Sequence, residues 1–131
     1  MDGSFREGVE SKIKYRNLMY SIDIQSPEFM KYLERGEREA FQQLFETYHK
    51  ALCFFAARIV RDHSEAEDIV QDVFLSFWKM DRGGFPNVKT IKTFLYNSVQ
   101  HRCLNYLRDL EIRDRNYKNL NKEELDEDYF L

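Results

Sequence analysis

The sequence predicts an all-α fold, a compact bundle of three to four helices. Three long segments repeat apolar residues at steps of three and four, the spacing that places them on one face of a helix. Only two prolines and five glycines interrupt the 131 residues, and 43% of the residues are hydrophobic. This composition favours a globular helical domain with a core of its own over disorder or a β-sandwich.

The N-terminal part of the chain predicts a mobile arm followed by a short helix. Residues 1–25 show no sustained apolar period. Ser26, Pro27 and Glu28 then form a helix start: an N-cap, a proline at the first helical position and an acid near the positive end of the helix dipole. We expect this helix to stop at Gly36. Its apolar face consists of Phe29, Tyr32 and Leu33.

A second helix is predicted over residues 37–61, with one continuous apolar stripe. These side chains are assigned to the core, because burying a large one stabilises by about 1.5–3 kcal/mol before entropy is charged. Residues 61–63 leave a tight connection to the next helix, and short links favour antiparallel neighbours. The stripe comprises Phe41, Leu44, Phe45, Tyr48, Leu52, Phe55, Ala56 and Ile59.

A third helix is predicted over residues 64–80, with Ser64 as N-cap and Glu67 completing a capping box. Its core face comprises Ala66, Ile69, Val70, Val73, Phe74, Phe77 and Trp78. Its opposite side carries Glu65, Glu67, Asp68, Gln71 and Asp72, and one stripe there comprises Asp68, Gln71, Asp72 and Leu75. A solvated helix usually mixes its charges for i,i+4 pairing, whereas no Lys or Arg precedes Lys79 here. The unmixed face therefore indicates a basic partner.

The segment at residues 79–90 cannot continue the helix, because it contains Gly83-Gly84 and Pro86-Asn87. Two interpretations are open for it. It is either an ordinary surface connection or a ligand-contacting loop held by a rigid scaffold. Its candidate contact residues are Lys79, Arg82, Phe85 and Lys89.

The last helix is predicted over residues 88–118, followed by an acidic, flexible tail at 119–131. Its core stripe comprises Ile91, Leu95, Val99, Cys103, Tyr106, Leu107 and Leu110. Outside this stripe lie Lys92, Tyr96, Gln100, Arg102 and Arg108. Such a face suits nucleic acid, because bases neutralise phosphates and aromatic rings stack on nucleobases. A solvated basic face is the alternative interpretation.

The formal net charge of −3 conceals two oppositely charged segments. Residues 62–78 contain five acids and no Lys or Arg, whereas residues 79–118 contain nine bases and four acids. Residues 119–131 return to one base and five acids. Since local charge bears on partners more than the total does, the two segments are suited to two different partners.

Neither a cofactor nor catalysis is expected from the sequence. Cys53 and Cys103 lie in apolar helical contexts and are predicted to be small buried residues. Four carboxylates imitate a metal cluster without a suitably spaced histidine. They are Glu65, Glu67, Asp68 and Asp72.

No apolar run approaches the roughly 18 residues of a membrane helix, and the N-terminus lacks a signal-peptide segment, so we expect a cytoplasmic protein without membrane insertion.

Three motifs together indicate a family. They are GEREAFQQLFETYH, AEDIVQDVFLSFWK and KTFLYNSVQHRCLNYLRD, the last after a Gly/Pro loop. Over residues 32–115 the chain resembles region 2 of a bacterial RNA polymerase sigma factor of the extracytoplasmic-function (ECF) type. The resemblance implies a helical bundle, a transcription-initiation role and no catalysis.

The resemblance also implies partners and site residues. In the family, the helix matching residues 64–80 docks on a basic coiled coil of the polymerase β′ subunit. Asp68, Gln71 and Asp72 match its docking positions, with Leu75 adding apolar contact. The following loop and helix bind the non-template strand of the promoter −10 element, with a flipped base in a pocket formed by the loop at 79–90. The implied DNA-binding residues are Lys79, Arg82, Phe85, Lys89, Lys92, Asn97, Gln100, His101, Arg102 and Arg108, with Arg113 and Arg115 tracking phosphates.

The chain departs from the family pattern in two respects. Gln100-His101 stands where many relatives carry Arg-Asn, a difference expected to weaken or retune promoter binding. The family's second domain, which reads the −35 element, has no counterpart here, and residues 119–131 are expected to be a tail or the start of a linker to it. Region 2 is thus assigned to residues 26–118. The alternative function is a single-domain regulator that binds polymerase without promoter activity, and an anti-sigma factor is a further implied partner.

Overall fold

A computed structural model describes the backbone of residues 23–130 and the side chains of residues 23–120 except position 82. Residues 1–22, most of the expected arm, lie outside the described residues. The described chain forms helices α1 (Pro27–Glu34), α2 (Arg38–Val60), α3 (His63–Lys79) and α4 (Val88–Phe130), with a 3-10 turn at Arg82–Gly84. No strand occurs in this range, so the predicted all-α fold is confirmed.

Helix α1 begins and ends at the predicted signals. Ser26 Oγ accepts the Phe29 N–H at 3.4 Å, and Pro27 occupies the first helical position. After Arg35 the chain leaves the helix through Gly36, whose φ of 77° is strained for a residue with a Cβ. The helix buries Phe29 and Leu33 and packs against α2 and the 3-10 turn.

The link between α2 and α3 corrects the predicted start of α3. Asp62, not Ser64, is the N-cap: its carboxylate accepts the Glu65 N–H at 3.1 Å, and Ser64 lies inside the first turn. Arg61 ends α2 in the left-handed region with φ of 58°, and its N–H bonds the Ala57 carbonyl at 2.8 Å. The turn at Arg61 frees Asp62 to adopt the extended backbone that an N-cap requires.

The core lies where α2, α3 and α4 pack against one another. The predicted face of α3 is buried from Ala66 to Phe77, whereas Trp78 is only half-buried, with its ring centroid 4.7 Å from that of Phe41. On α2, Leu44, Leu52 and Ala56 are fully buried, and the predicted aromatics pack against this cluster while remaining partly exposed. The described helices include no apolar stretch of the length that spans a bilayer.

Helix α4 is longer than predicted, and its core stripe is shorter. The helix passes the expected end at residue 118 and continues to Phe130. Its stripe is buried through Cys103, but Tyr106 and Leu107 are half-buried and Leu110 is 41% exposed. The first turn of α3 ends the cover on α4: Glu65 lines one surface pocket with Tyr106 and Leu110, and residues 111–120 beyond it are exposed.

Candidate functional site

The outward face of α3 is an acidic stripe, defined here as Asp68, Gln71, Asp72 and Leu75. All four side chains are exposed, and Leu75 is 54% exposed although it is a large apolar residue. The opposite face of the helix carries the buried core residues, so the helix cannot turn this stripe inward without losing the core. The four residues predicted to dock on a partner therefore share one accessible surface.

Asp72 and Arg102 connect the acidic stripe to α4. Arg102 Nη2 donates to Ser76 Oγ at 2.9 Å, and Arg102 Nη1 lies 3.9 Å from Asp72 Oδ2. The side chains of Arg102 and Asp72 are 41% and 64% exposed, so the ion pair is long and solvated. No ion pair between described side chains involves Asp68. The stripe thus contains one carboxylate engaged by the chain's own arginine and one that faces solvent.

A cavity of about 180 Å³ lies between α3 and α4, next to this ion pair. It is mainly apolar inside, with hydroxyl and basic groups contributed by α3 and α4. Its lining residues are Val73, Ser76, Phe94, Ser98, His101 and Arg102. The sequence predicted His101 and Arg102 as site residues but missed Ser76, Phe94 and Ser98. The sequence signal for the two serines is their i,i+4 spacing from predicted site residues, Ser76 from Asp72 and Ser98 from Arg102.

None of the described side chains of the loop at 79–90 lines this cavity. Its Phe85 ring is partly buried, with its centroid 5.7 Å from that of Phe77 and 5.4 Å from that of Phe94. The residue was predicted to contact DNA, but much of its surface packs against the core residues Phe77 and Phe94. Lys79 and Lys89 flank the loop and are exposed, and Asp81 accepts the Gly83 N–H at 3.0 Å. The side chain of Arg82 lies outside the described residues.

The predicted DNA-binding residues of α4 separate into two flanks. The α3-side flank is defined by His101 and Arg102, which line the cavity with α3 residues. Asn97 and Arg108 are assigned to it by their spacing of four and seven residues from His101. The α2-side flank consists of Lys89, Lys92 and Gln100. It follows Tyr96, whose ring centroid lies 5.2 Å from that of Phe55 on α2, since residues four apart share a helix flank. All of these predicted contact residues are exposed except Arg102, which is half-buried.

The remaining titratable groups offer little chemistry. Burial raises the pKa of the Cys103 thiol, and burial together with the Glu67 carboxylate raises the pKa of Cys53, so both thiols stay protonated near neutral pH. Both cysteines are free, and Cys53 Sγ lies 3.5 Å from His49 Nε2. Within the described part of the chain, no group of three or more His, Cys, Asp and Glu residues is arranged to hold a metal ion.

Comparison with known proteins identifies the family. The sequence profile described as Sigma-70 region 2 matches residues 44–112, more than half of the chain. The chain belongs to this family. The match confirms the resemblance inferred from residues 32–115. It contains the acidic stripe, the loop and both flanks of α4.

Two relatives show how this region 2 chain compares with longer proteins. It is 34% identical over 73 residues to the ECF RNA polymerase sigma factor SigM of Mycobacterium tuberculosis, covering 56% of this chain and 37% of SigM. It is 31% identical over 78 residues to the ECF RNA polymerase sigma factor SigX of Bacillus subtilis, covering 59% of this chain and 40% of SigX. The alignments therefore span well under half of each relative's length. No solved structure gives a significant match.

Proposed function

We propose that this region 2 chain is a transcription-initiation module that docks on core RNA polymerase and holds promoter −10 DNA as a single strand. It has no catalytic role, because the polymerase performs the chemistry, and it acts in the cytoplasm. Family membership and the names of the two relatives support this function. The observation that carries it is that the exposed acidic stripe of α3 lies next to the cavity and the α3-side flank of α4.

Docking is assigned to the acidic stripe. Asp68 and Asp72 present negative charge, Gln71 offers amide hydrogen bonds, and Leu75 provides an apolar centre. Such a surface fits a basic helix pair, which we assign to the coiled coil of the β′ subunit. Opposite charge on the two surfaces would speed association and select the partner.

DNA binding is assigned to α4 and the end of the loop. The cavity between α3 and α4 has a mainly apolar lining that also includes Ser98 and His101, which suits an unstacked base of the non-template strand. Extruding a base costs a few kcal/mol, so stacking and hydrogen bonds in this cavity must return that amount. Arg108, and beyond it Arg113 and Arg115, lie exposed along α4 where a strand's phosphates can be neutralised.

A second candidate function is polymerase binding without promoter activity. It is favoured by two features of α4. Arg102 is hydrogen-bonded to Ser76 within the chain, and Gln100-His101 replaces the Arg-Asn pair of many relatives. A polymerase-binding regulator needs the acidic stripe but not the α3-side flank of α4.

Charge reversal of the stripe tests the docking assignment that both candidates share. In the Asp68→Lys/Asp72→Lys variant we expect binding to core RNA polymerase to be lost, because two attractive charges become repulsive ones. Since both positions are exposed, the thermal midpoint should stay within a few degrees of wild type. Affinity is measured by pull-down and fluorescence anisotropy with purified core enzyme.

The matched control is Asp109→Lys/Asp114→Lys on the exposed part of α4, which makes the same change in net charge. We expect this control to retain polymerase binding. Undiminished binding by the Asp68→Lys/Asp72→Lys variant would refute docking through α3. Open-complex formation on a promoter template by the wild-type chain with core enzyme then separates the two candidate functions.

A further inference from the structure

Arg102 joins the two surfaces to which the proposed function assigns different partners. Its guanidinium reaches from α4 to α3, where it bonds Ser76 Oγ at 2.9 Å through Nη2 and approaches Asp72 Oδ2 to 3.9 Å through Nη1. Asp72 and Ser76 lie one helical turn apart, so one planar guanidinium faces both groups at once. Arg102 also lines the cavity assigned to DNA.

We propose that Asp72 and Ser76 are positioning residues for Arg102, and that polymerase docking at Asp72 frees Arg102 to bind a DNA phosphate. This inference rests on the proposed function, because it assigns the regulation of that same site. In the free chain the Nη1 edge of Arg102 is directed to Asp72. When a basic partner takes the Asp72 carboxylate, that edge loses its anion, while Ser76 continues to hold the guanidinium at the cavity.

The geometry makes the exchange reversible. The Arg102–Asp72 separation is at the long end for an ion pair, and both side chains are partly exposed, so the pair is easily broken. An exposed pair of this kind changes affinity by about 1.5- to fivefold when it is removed. By linkage, DNA bound at Arg102 should strengthen polymerase docking by the same factor.

The first test is Asp72→Asn in the full chain, which keeps the side-chain shape and removes the charge. The probe is a fluorescently labelled single-stranded oligonucleotide of mixed sequence. We expect its affinity to rise about 1.5- to fivefold, because Arg102 is released. The slope of log affinity against log salt should steepen by about 0.7, the value for one further phosphate contact on a single strand. Loss of a merely structural contact would not change that slope.

A double-mutant cycle separates the release of Arg102 from a general charge effect. Arg102→Ala should weaken oligonucleotide binding, and adding Asp72→Asn to it should give no further gain. The control is Asp109→Asn, which makes the same charge change at an exposed position of α4. An equal gain in affinity with Asp109→Asn, or additive effects of Asp72→Asn and Arg102→Ala, would overturn the coupling.

The polymerase arm distinguishes failure of the coupling from failure of the proposed function. Arg102→Ala should bind core RNA polymerase about 1.5- to fivefold more tightly than wild type, because Asp72 is then free. If the wild-type chain binds both ligands while Arg102→Ala binds polymerase no better, the coupling is wrong and the proposed function stands. If the wild-type chain binds neither ligand, the proposed function is wrong and the coupling falls with it.

Discussion

Two adjacent residues decide how α2 passes into α3. Arg61 takes a left-handed conformation that costs a non-glycine residue roughly 1–2 kcal/mol, and Asp62 then caps α3 through the Glu65 N–H. The sequence offers Ser64 as an equally good cap, with Glu67 in the capping-box position. Asp62 is the N-cap because α2 ends at Val60, which leaves one residue for the reversal. Local cap chemistry by itself could not make that choice.

Truncation of the two candidate caps gives a prediction at the residue scale. Asp62→Ala should lower the free energy of unfolding by about 1 kcal/mol, because the Glu65 N–H loses its acceptor. Ser64→Ala should leave stability unchanged or raise it by up to about 0.5 kcal/mol, since alanine is the better residue inside a helix. Urea unfolding followed by circular dichroism measures both. A larger loss from Ser64→Ala would return the cap to Ser64.

Helix α3 has one face buried in the core and another exposed to solvent. The ring of Phe77 is fully buried, with its centroid 5.7 Å from that of Phe85 and 6.2 Å from that of Phe94, so α3, the loop and α4 meet at this side chain. Leu75, two residues away, faces solvent within the acidic stripe. Truncation of these two apolar side chains is therefore expected to lower stability by very different amounts.

Alanine substitutions on these two faces test the division at the scale of the element. Phe77→Ala should destabilise the fold by about 3–5 kcal/mol, because it leaves a cavity at the junction of three segments. Leu75→Ala should change stability by less than about 0.5 kcal/mol. Thermal and urea unfolding of the two variants gives the comparison. Comparable losses would show that Leu75 is covered in solution.

Helix α4 extends beyond the helices that pack against it. Its core stripe is buried through Cys103, whereas residues 111–120 are exposed on all sides. The exposed segment lies beyond the start of α3. The exposed segment carries its own i,i+4 pairs, Glu111–Arg115 and Asp114–Lys118, both at 3.2 Å. Such exposed pairs contribute only a few tenths of a kcal/mol each, so most of the stability of α4 comes from its first half.

At the scale of the whole molecule, opposite charges lie on neighbouring helices. The acidic stripe of α3 and the α3-side flank of α4 share a border at Arg102, and the α2-side flank faces away from that border. A strand held at the cavity would therefore run along the α3-side flank. Both flanks contain bases and an amide, but His101 and Arg102 of the α3-side flank line the cavity.

Charge reversal on the two flanks tests which of them faces DNA. Arg108→Glu should weaken binding of a single-stranded oligonucleotide several-fold and reduce the salt slope by about 0.7–1.4, because it removes one phosphate contact and adds a repulsion. Lys92→Glu, which makes the same charge change on the α2-side flank, should have a smaller effect. Fluorescence anisotropy across a salt series measures both. A larger effect of Lys92→Glu would place the strand on the other flank.

The amino-acid pattern alone predicts the existence of the helices, most of the buried faces of α2 and α3, and the family. Apolar residues spaced by three and four define a helix face whatever packs on it. The apolar stripes of α2 and α3 and the acidic stripe are therefore predicted from the sequence. Two of the three quoted motifs lie within the segment that matches the family, and GEREAFQQLFETYH overlaps its start.

Contacts between helices follow from how the helices pack. Ser76 and Arg102 are 26 positions apart in the chain, and Phe85 lies in a loop whose core contacts have no sequence period. The end of burial on α4 likewise depends on where α3 begins, not on the apolar pattern of α4 itself. Such contacts depend on the relative placement of helices, which a helical period along one segment does not specify. The cavity, the Asp72–Arg102 pair and the two flanks of α4 therefore emerged only when the helices were packed together.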